Sequence, residues 1–369
     1  MPRILITGNM GYVGPGVVRY LRQEYPQAEL IGYDTGFFAH CLTGATRLPE
    51  LCLDRQLFGD IRELPVALLQ GIDVVVNLAA ISNDPMGQTY EQITLDVNYL
   101  AGVRLARLAK EAGVERFVFA SSCSMYGAGG DEAKSENSPL NPLTAYARSK
   151  VLSEQALEPL ADEQFQITCL RFATACGWSH RLRLDLVVND FVAGAVASGE
   201  ISILSDGTPW RPLIHVQDMA RAIGWAVQRP RCGCGAAFLA INTGAEVWNY
   251  QVRDLAYAVA EALPGTRVSL NAAAPPDKRS YRVDFSLYQQ LAPEHQPQRT
   301  LPDTIAELRD GLMSMNFRDG SFRTSQLMRL RVLTALRETG ELNAALRWAL
   351  PAATTLPPIE TPEYAALAL

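Results

Sequence analysis

The chain has 369 residues, 48% of them hydrophobic and 20% charged, enough for one large domain or two smaller ones with a sizeable core. Its net charge of -6 argues against a nucleic-acid-binding surface, yet leaves room for an anionic small substrate held by a few local Arg or Lys side chains. No apolar run reaches membrane-spanning length, and Met1-Pro2-Arg3 passes straight into Ile4-Leu5-Ile6-Thr7 without a charged leader, so a cytoplasmic enzyme that binds no membrane is expected.

In chain order, residues 3–8 read as a strand, 12–25 as a helix, 29–34 as the second strand and 57–61 as a short third. Residues 73–80 form a continuous apolar run, as a strand buried on both faces requires. Helical spacing follows over 93–112, a fifth strand over 116–122, a helix over 146–157 and a sixth strand over 166–173. This alternation predicts an α/β fold with a doubly wound parallel sheet and right-handed crossovers. Beyond Gly177, residues 184–198, 216–228 and 251–263 read as helices, and 201–204 and 237–242 as strands. The expected organisation is a cofactor domain over 1–177, with 216–244 returning to it. A smaller α/β substrate domain follows from 178–215 and 245–315, then a helical extension and tail over 316–369. Turns are marked at Pro264-Gly265 and Pro275-Pro276. Residues 324–339 have the pattern of a basic amphipathic helix, expected to pack across the substrate domain or a dimer face rather than on a membrane surface. The tail over 354–362 is expected to be irregular.

The cysteines show no zinc-like spacing, and Cys232-Gly233-Cys234 is too tight for a zinc knuckle, so no metal is expected and the thiols should be reduced and mostly buried. Gly8, Gly11 and Gly14, in Thr7-Gly8-Asn9-Met10-Gly11-Tyr12-Val13-Gly14, close a strand and open a helix. Such glycines allow a tight turn, backbone approach to phosphates and close helix–strand packing, with the helix N-terminus facing a pyrophosphate. Met10, Tyr12 and Val13 belong to the same cradle. Asp34 ends the second strand twenty residues past Gly14, where its carboxylate can accept hydrogen bonds from adenine-ribose hydroxyls and repel a 2′-phosphate, which favours NAD over NADP. Asp60 and Ile61, after the third strand, are candidates for holding the adenine.

Far along the chain, Tyr146-Ala147-Arg148-Ser149-Lys150 follows Ser121-Ser122-Cys123-Ser124-Met125-Tyr126-Gly127. A phenol with a pKa of about 10 is a poor base at neutral pH. Lys150 lies one helical turn from Tyr146, and its ammonium favours the phenolate. Ser122, ending the preceding strand, can reach the same substrate oxygen. Tyr146 would then take a carbinol proton while a hydride passes to NAD.

With these residues in place the chain resembles the extended short-chain dehydrogenase/reductase superfamily, specifically its NAD-dependent nucleotide-sugar epimerases and dehydratases. The likeness covers roughly residues 3–310 and also rests on Asn77-Leu78-Ala79-Ala80, Asn98 and Trp210-Arg211-Pro212-Leu213-Ile214-His215-Val216-Gln217-Asp218. It implies a Rossmann sheet, a Ser122–Tyr146–Lys150 triad, and NAD held in part by Leu78, Ala79, Ala80 and Asn98. It further implies a nucleoside-diphosphate sugar in the cleft, and a homodimer. For that sugar the resemblance implies contacts from Ser122, Ser124 and Tyr146. Asn189 and Arg211 are implied at the diphosphate, with Arg282 as a second arginine and Arg279 its competitor. Ser82, Asn83 or Asp84 can reach the sugar, and His180 is a further candidate. In 4,6-dehydratases an Asp-Glu pair follows the catalytic hydroxyl residue. Here those positions hold Cys123 and Ser124, neither a competent carboxylic acid. In 3,5-epimerising relatives a cysteine matches the position of Ser124, so Cys123 sits one residue early and a packing role is expected for it. The reading is an NAD-dependent nucleotide-sugar epimerase with inversion at C4. Alternatives are a nucleotide 4-keto-sugar reductase or dehydrogenase, a 3,5-epimerising relative and, least favoured, a non-enzymatic NAD-sensing protein.

Overall fold

The computed structural model describes residues 1–230, 237–271 and 279–349. The Cys232–Cys234 pair, the Pro275-Pro276 turn and the 354–362 tail lie outside the described residues. In chain order the first half contains β1 (Arg3–Thr7), α1 (Gly14–Glu24), β2 (Glu29–Asp34), β3 (Arg55–Phe58), β4 (Val74–Asn77), α2 (Asp84–Thr89), α3 (Glu91–Thr94), α4 (Gly102–Glu111), β5 (Arg116–Ser122), β6 (Ala128–Lys134), α5 (Ala145–Leu157), β7 (Gln166–Phe172) and β8 (Thr174–Cys176). The second half adds α6 (Val187–Ser198), β9 (Glu200–Ile203), β10 (Trp210–His215), α7 (Val216–Gln228), β11 (Phe238–Thr243), β12 (Asn249–Gln251), α8 (Val252–Ala262), β13 (Arg267–Leu270), β14 (Ser280–Val283), α9 (Ser286–Leu291), α10 (Leu301–Ser314) and α11 (Arg329–Glu338).

Seven parallel strands form the central sheet in the order β11-β7-β5-β4-β1-β2-β3. The chain winds outward in both directions from the β1–β4 pair, where Thr7 lies in register with Asn77. Ligands of open α/β sheets bind outside the carboxyl ends of the strands at such a reversal. The strands are nearly continuous Val, Ile, Leu and Phe because helices cover both faces. On one face, Val17, Val18 and Leu21 of α1 share a core with Ala222, Ile223 and Ala226 of α7. On the other, Leu105, Ala106 and Ala109 of α4 join Leu5, Val75, Phe117 and Ile167. Smaller sheets, β12-β10-β8, β13-β9 and β14-β6, surround the cleft.

The helix expected over 93–112 is composite. Leu95–Ala101 winds as a π-helix between α3 and α4, which places Asn98 inward, wholly buried. The amphipathic pattern over 324–339 begins as helix only at Arg329, and its first residues pack on the expected substrate region, where Leu184 N–H donates to the Leu327 carbonyl at 3.0 Å. Leu333 of α11 is buried with Phe37, Ile81, Met86 and Tyr90, so the extension also reaches the half of the molecule built around β1, β2 and β4. Beyond α11 the chain doubles back through an antiparallel bridge between Leu342 and Trp348. Leu346 there is 1% exposed and has a left-handed φ of 50°.

Candidate active site

One cavity of about 1100 Å³ runs along the carboxyl ends of the strands, above the range of about 300–1,000 Å³ usual for a single small ligand. Its floor is the glycine turn. Gly8 has a φ of 77°, and a Cβ there would meet the Ala79 backbone at 2.5 Å; a Cβ on Gly14 would lie 1.8 Å from the Asn9 carbonyl oxygen. Both positions therefore require glycine, the first for backbone conformation and the second for packing. No side chain caps the N-terminus of α1, so its free N–H groups remain available to an anion. Gly11, Tyr12, Val13, Leu78, Ala79, Ala80 and Ile61 also line the cavity. Met10 is not on the wall. Its N–H donates to Asp34 Oδ2 at 3.0 Å while Gly36 N–H donates to Oδ1 at 2.8 Å, so the two amides aim the carboxylate at the cavity edge. Burial raises the Asp34 pKa, and those two bonds oppose the shift. A cradle that excludes a Cβ, an uncapped helix end and an oriented strand-end carboxylate together fit a dinucleotide.

Two expected cofactor contacts act differently. Asn98 lies behind the wall: its Oδ1 accepts from Ile81 N–H at 2.8 Å, and its Nδ2 donates to the Ile81 carbonyl and to Ser149 Oγ, both at 3.0 Å. It fixes the segment leaving β4 rather than touching a ligand. Asp60 lines the cavity but is clamped by Arg62, whose Nη1 and Nη2 also donate to the carbonyls of Ala345 and Leu346 at 2.8 and 3.1 Å. Trp348 Nε1 donates to the Thr35 carbonyl at 2.7 Å, and the Trp348 ring contacts Phe37 at 5.5 Å. The end of the described chain thus straps the edge of the cavity beside Asp34.

At the other end of the cavity stand Ser122, Ser124, Tyr146 and Lys150. Ser122 ends β5, and its Oγ accepts from Ser124 N–H at 3.1 Å. Thr144 caps α5 by accepting from Ala147 N–H, which sets Tyr146 on the first turn and Lys150 one turn on. Lys150 Nζ donates to the Ala120 carbonyl at 2.6 Å and lies 5.5 Å from the Tyr146 ring centre. Burial raises the Tyr146 phenol to about 12, with Ser122 opposing, and burial lowers Lys150 to about 8. Ser124 Oγ is buried without a partner, a hydroxyl left for a ligand.

The remaining candidates divide. Arg211 lines the cavity, its Nη1 donating to the carbonyls of Trp210 and Arg279. Arg282 does not reach the wall; its guanidinium stacks 5.1 Å from the Trp210 ring centre, and Arg279 takes the wall position, paired with Asp84 at 2.6 Å. Alternation along β14 decides this, since its neighbours Tyr281 and Val283 turn inward. Asn189 is fully buried, accepting from Gly177 N–H and donating to Tyr12 Oη and the Arg183 carbonyl, so no diphosphate contact is open to it. Asn83 caps α2 and donates to Asp185. His180 lies off the wall, its Nδ1 3.3 Å from the Thr43 carbonyl oxygen. Cys123 is sealed from solvent, its thiol donating to the Arg171 carbonyl at 3.0 Å, and burial pushes its pKa far up. Among the described residues no cluster fit to hold a metal ion occurs.

The sequence reading misses Arg183 and Asp185, which line the cavity as a 2.8 Å ion pair. It also misses the network behind the catalytic strand. Ser121 Oγ donates to Glu154, Glu154 pairs with Arg171 at 2.6 Å, Arg171 donates to Tyr126 Oη, and Tyr126 donates to Asn242 Oδ1. Buried charges in otherwise apolar strands, at Arg171 above all, are the signal that could have revealed it.

Comparisons agree with this geometry. A profile of the NAD dependent epimerase/dehydratase family matches residues 4–239. The chain is 27% identical over 240 residues to an uncharacterized UDP-glucose epimerase of Bacillus subtilis (strain 168), YtcB, covering 62% of this chain and 73% of that one. It is 24% identical over 225 residues to the dTDP-D-glucose 4,6-dehydratase of Mus musculus, covering 60% and 63%. The structure of MoeE5 in complex with UDP-glucuronic acid and NAD matches with a TM-score of 0.72 at 27% identity, over 85% of this chain and 99% of that one. This chain therefore belongs to the NAD dependent epimerase/dehydratase family, and its cofactor is NAD.

Proposed function

We propose that the protein is a nucleoside-diphosphate-sugar epimerase that inverts C4 through a transient keto sugar. One observation carries this choice over dehydration: every carboxylate on the cavity wall among the described residues is already engaged. Asp34 accepts two backbone N–H bonds, Asp60 is held by Arg62, Asp84 by Arg279 and Thr144, Asp185 by Arg183, and Asp190 by Arg323. The turn after Ser122 carries a sealed thiol and a hydroxyl, so an acid–base pair for eliminating water from C5 and C6 is absent there.

NAD, when bound, accepts the hydride from the carbinol carbon and returns it. Tyr146 takes the proton from the carbinol oxygen as that C–H bond breaks, with Ser122 bonded to the same oxygen. Lys150 sits behind the phenol, where its positive charge favours the phenolate. Once the keto sugar presents its other face, Tyr146 would give the proton back to the same oxygen. Ser124 Oγ and Arg211 support a sugar and a diphosphate in this cleft, the latter through charge-assisted bonds.

Incubation with UDP-glucose in deuterated water, followed by proton NMR, tests this reading. The expected product is the C4 epimer with no solvent deuterium on carbon and no net NADH. A 4-keto-6-deoxy sugar, or deuterium at C3 or C5, would overturn it.

A further inference from the structure

We infer that Arg329, from the C-terminal extension, completes the cofactor site by donating from Nη1 to the diphosphate of NAD. Arg329 lies outside the residues 4–239 that carry the family likeness. It nevertheless lines the cavity while being only 1% exposed. Its Nη2 donates to the Arg181 carbonyl at 2.7 Å, and its guanidinium stacks on Phe38 at 4.6 Å from the ring centre. Its Nη1 is buried with no hydrogen-bond partner. A guanidinium held by its stem with one donor edge unmatched is built for an oxygen that arrives from outside the protein.

The charge balance points the same way. Arg181 is matched by Glu50 at 2.6 Å, and Arg183 by Asp185 at 2.8 Å. Arg329 is the surplus cation of the three. Burial lowers its pKa to about 10, with Arg183 and Arg181 adding to the fall and Cys41 and Asp185 opposing it. An anion beside it would relieve that cost.

Position selects the anion. Phe38, under the guanidinium, lies in the segment that leaves β2 just after Asp34, the residue expected to meet the adenine ribose. Arg183 bonds Ser82 Oγ at 2.9 Å, and Asn189 joins its carbonyl to Tyr12 of the glycine turn. The charge of Arg183 is felt by both Tyr12 and Tyr146. The basic group therefore sits between the adenosine end and the catalytic phenol, which is where a dinucleotide carries its diphosphate. Arg211 is the cation proposed above for the sugar nucleotide. The inference does not depend on whether the reaction is epimerisation.

Calorimetric titration of Arg329→Gln, freed of resident cofactor, tests it with NAD, adenosine and UDP as ligands. Loss of a charge-assisted bond predicts NAD binding weaker by about tenfold to a hundredfold. Adenosine and UDP affinities should stay unchanged, and Arg329→Lys should recover part of the NAD affinity. Unchanged NAD affinity overturns the inference. Equal weakening of adenosine shows a merely structural residue, and weakening of UDP alone assigns the anion to the substrate; either outcome also overturns it. If Arg329→Gln does not fold, hydrogen exchange on the unmodified protein decides. ADP-ribose should slow exchange across 329–338 more than adenosine does, and equal protection overturns the inference.

Discussion

Lys150 carries a charge that its surroundings resist. Burial brings its pKa from 10.5 down to about 8, so between those values the unfolded chain binds the proton that the folded protein has released. Stability therefore rises with pH across that window, while the ammonium is a cost at pH 7. Tyr146 acts in the opposite sense: its phenol is raised from 10.0 to about 12, so the folded state holds its proton longer and stability falls as pH climbs between them. Lys150→Met should thus be inactive yet more stable at pH 7, by at most about 3 kcal/mol, with the gain fading toward pH 10.5. Urea denaturation as a function of pH reads both signs. Tyr146→Phe should keep NAD affinity and lose turnover by about a hundredfold to ten-thousandfold, measured by steady-state kinetics beside NAD titration. Full turnover would remove Tyr146 from proton transfer. At this scale the sequence pointed, through spacing, to three residues that the fold brings to one cavity wall, because Tyr146 and Lys150 share a helix and Ser122 ends a strand. It failed where side-chain direction decides. Arg282 and Arg279 differ by three residues, and only the alternation of β14 and its approach separates the stacked arginine from the wall arginine.

The elements that carry the site are tied from behind. Glu154 of α5 bonds Ser121 of β5 and pairs with Arg171 of β7, so one carboxylate braces the helix bearing Tyr146 against two strands. Removing one member of a buried pair strands the other, at about 3–5 kcal/mol. Glu154→Leu should lower stability by that order, and adding Arg171→Leu should recover much of it, as thermal or urea denaturation of both variants will show. No recovery in the double variant would mean that Arg171 matters through Tyr126 and the Glu136 carbonyl instead. Periodicity anticipated the principal strands and helices but not the π-helix over Leu95–Ala101, since an apolar stripe reports a face and not the winding beneath it. The second region that the extension covers was hidden for a related reason. An amphipathic helix advertises that it will be covered, and the covering partners come from the segments after β2 and β4, with Phe37 and Ile81, and from α2, with Met86.

On the scale of the molecule, the doubly wound sheet was legible because each strand is a short apolar run followed by a helix, an order that admits few topologies. The cavity wall was only half legible. Residues from the glycine turn, the strand ends and α5 announce themselves by motif, whereas Arg183, Asp185 and Arg329 carry none and are brought in by packing. The wall runs in sequence from Gly8 to Leu346, and that has a consequence for how the protein is made. Synthesis proceeds from the N-terminus, so the glycine turn leaves the ribosome first and Leu346 among the last of the described residues. A chain made only as far as residue 320 carries every strand described above but lacks the wall residues Arg323, Met328, Arg329 and Leu346. With Arg329 on the diphosphate as inferred, firm capture of the dinucleotide waits for the segment beyond residue 320, well after the last strand of the sheet has been made.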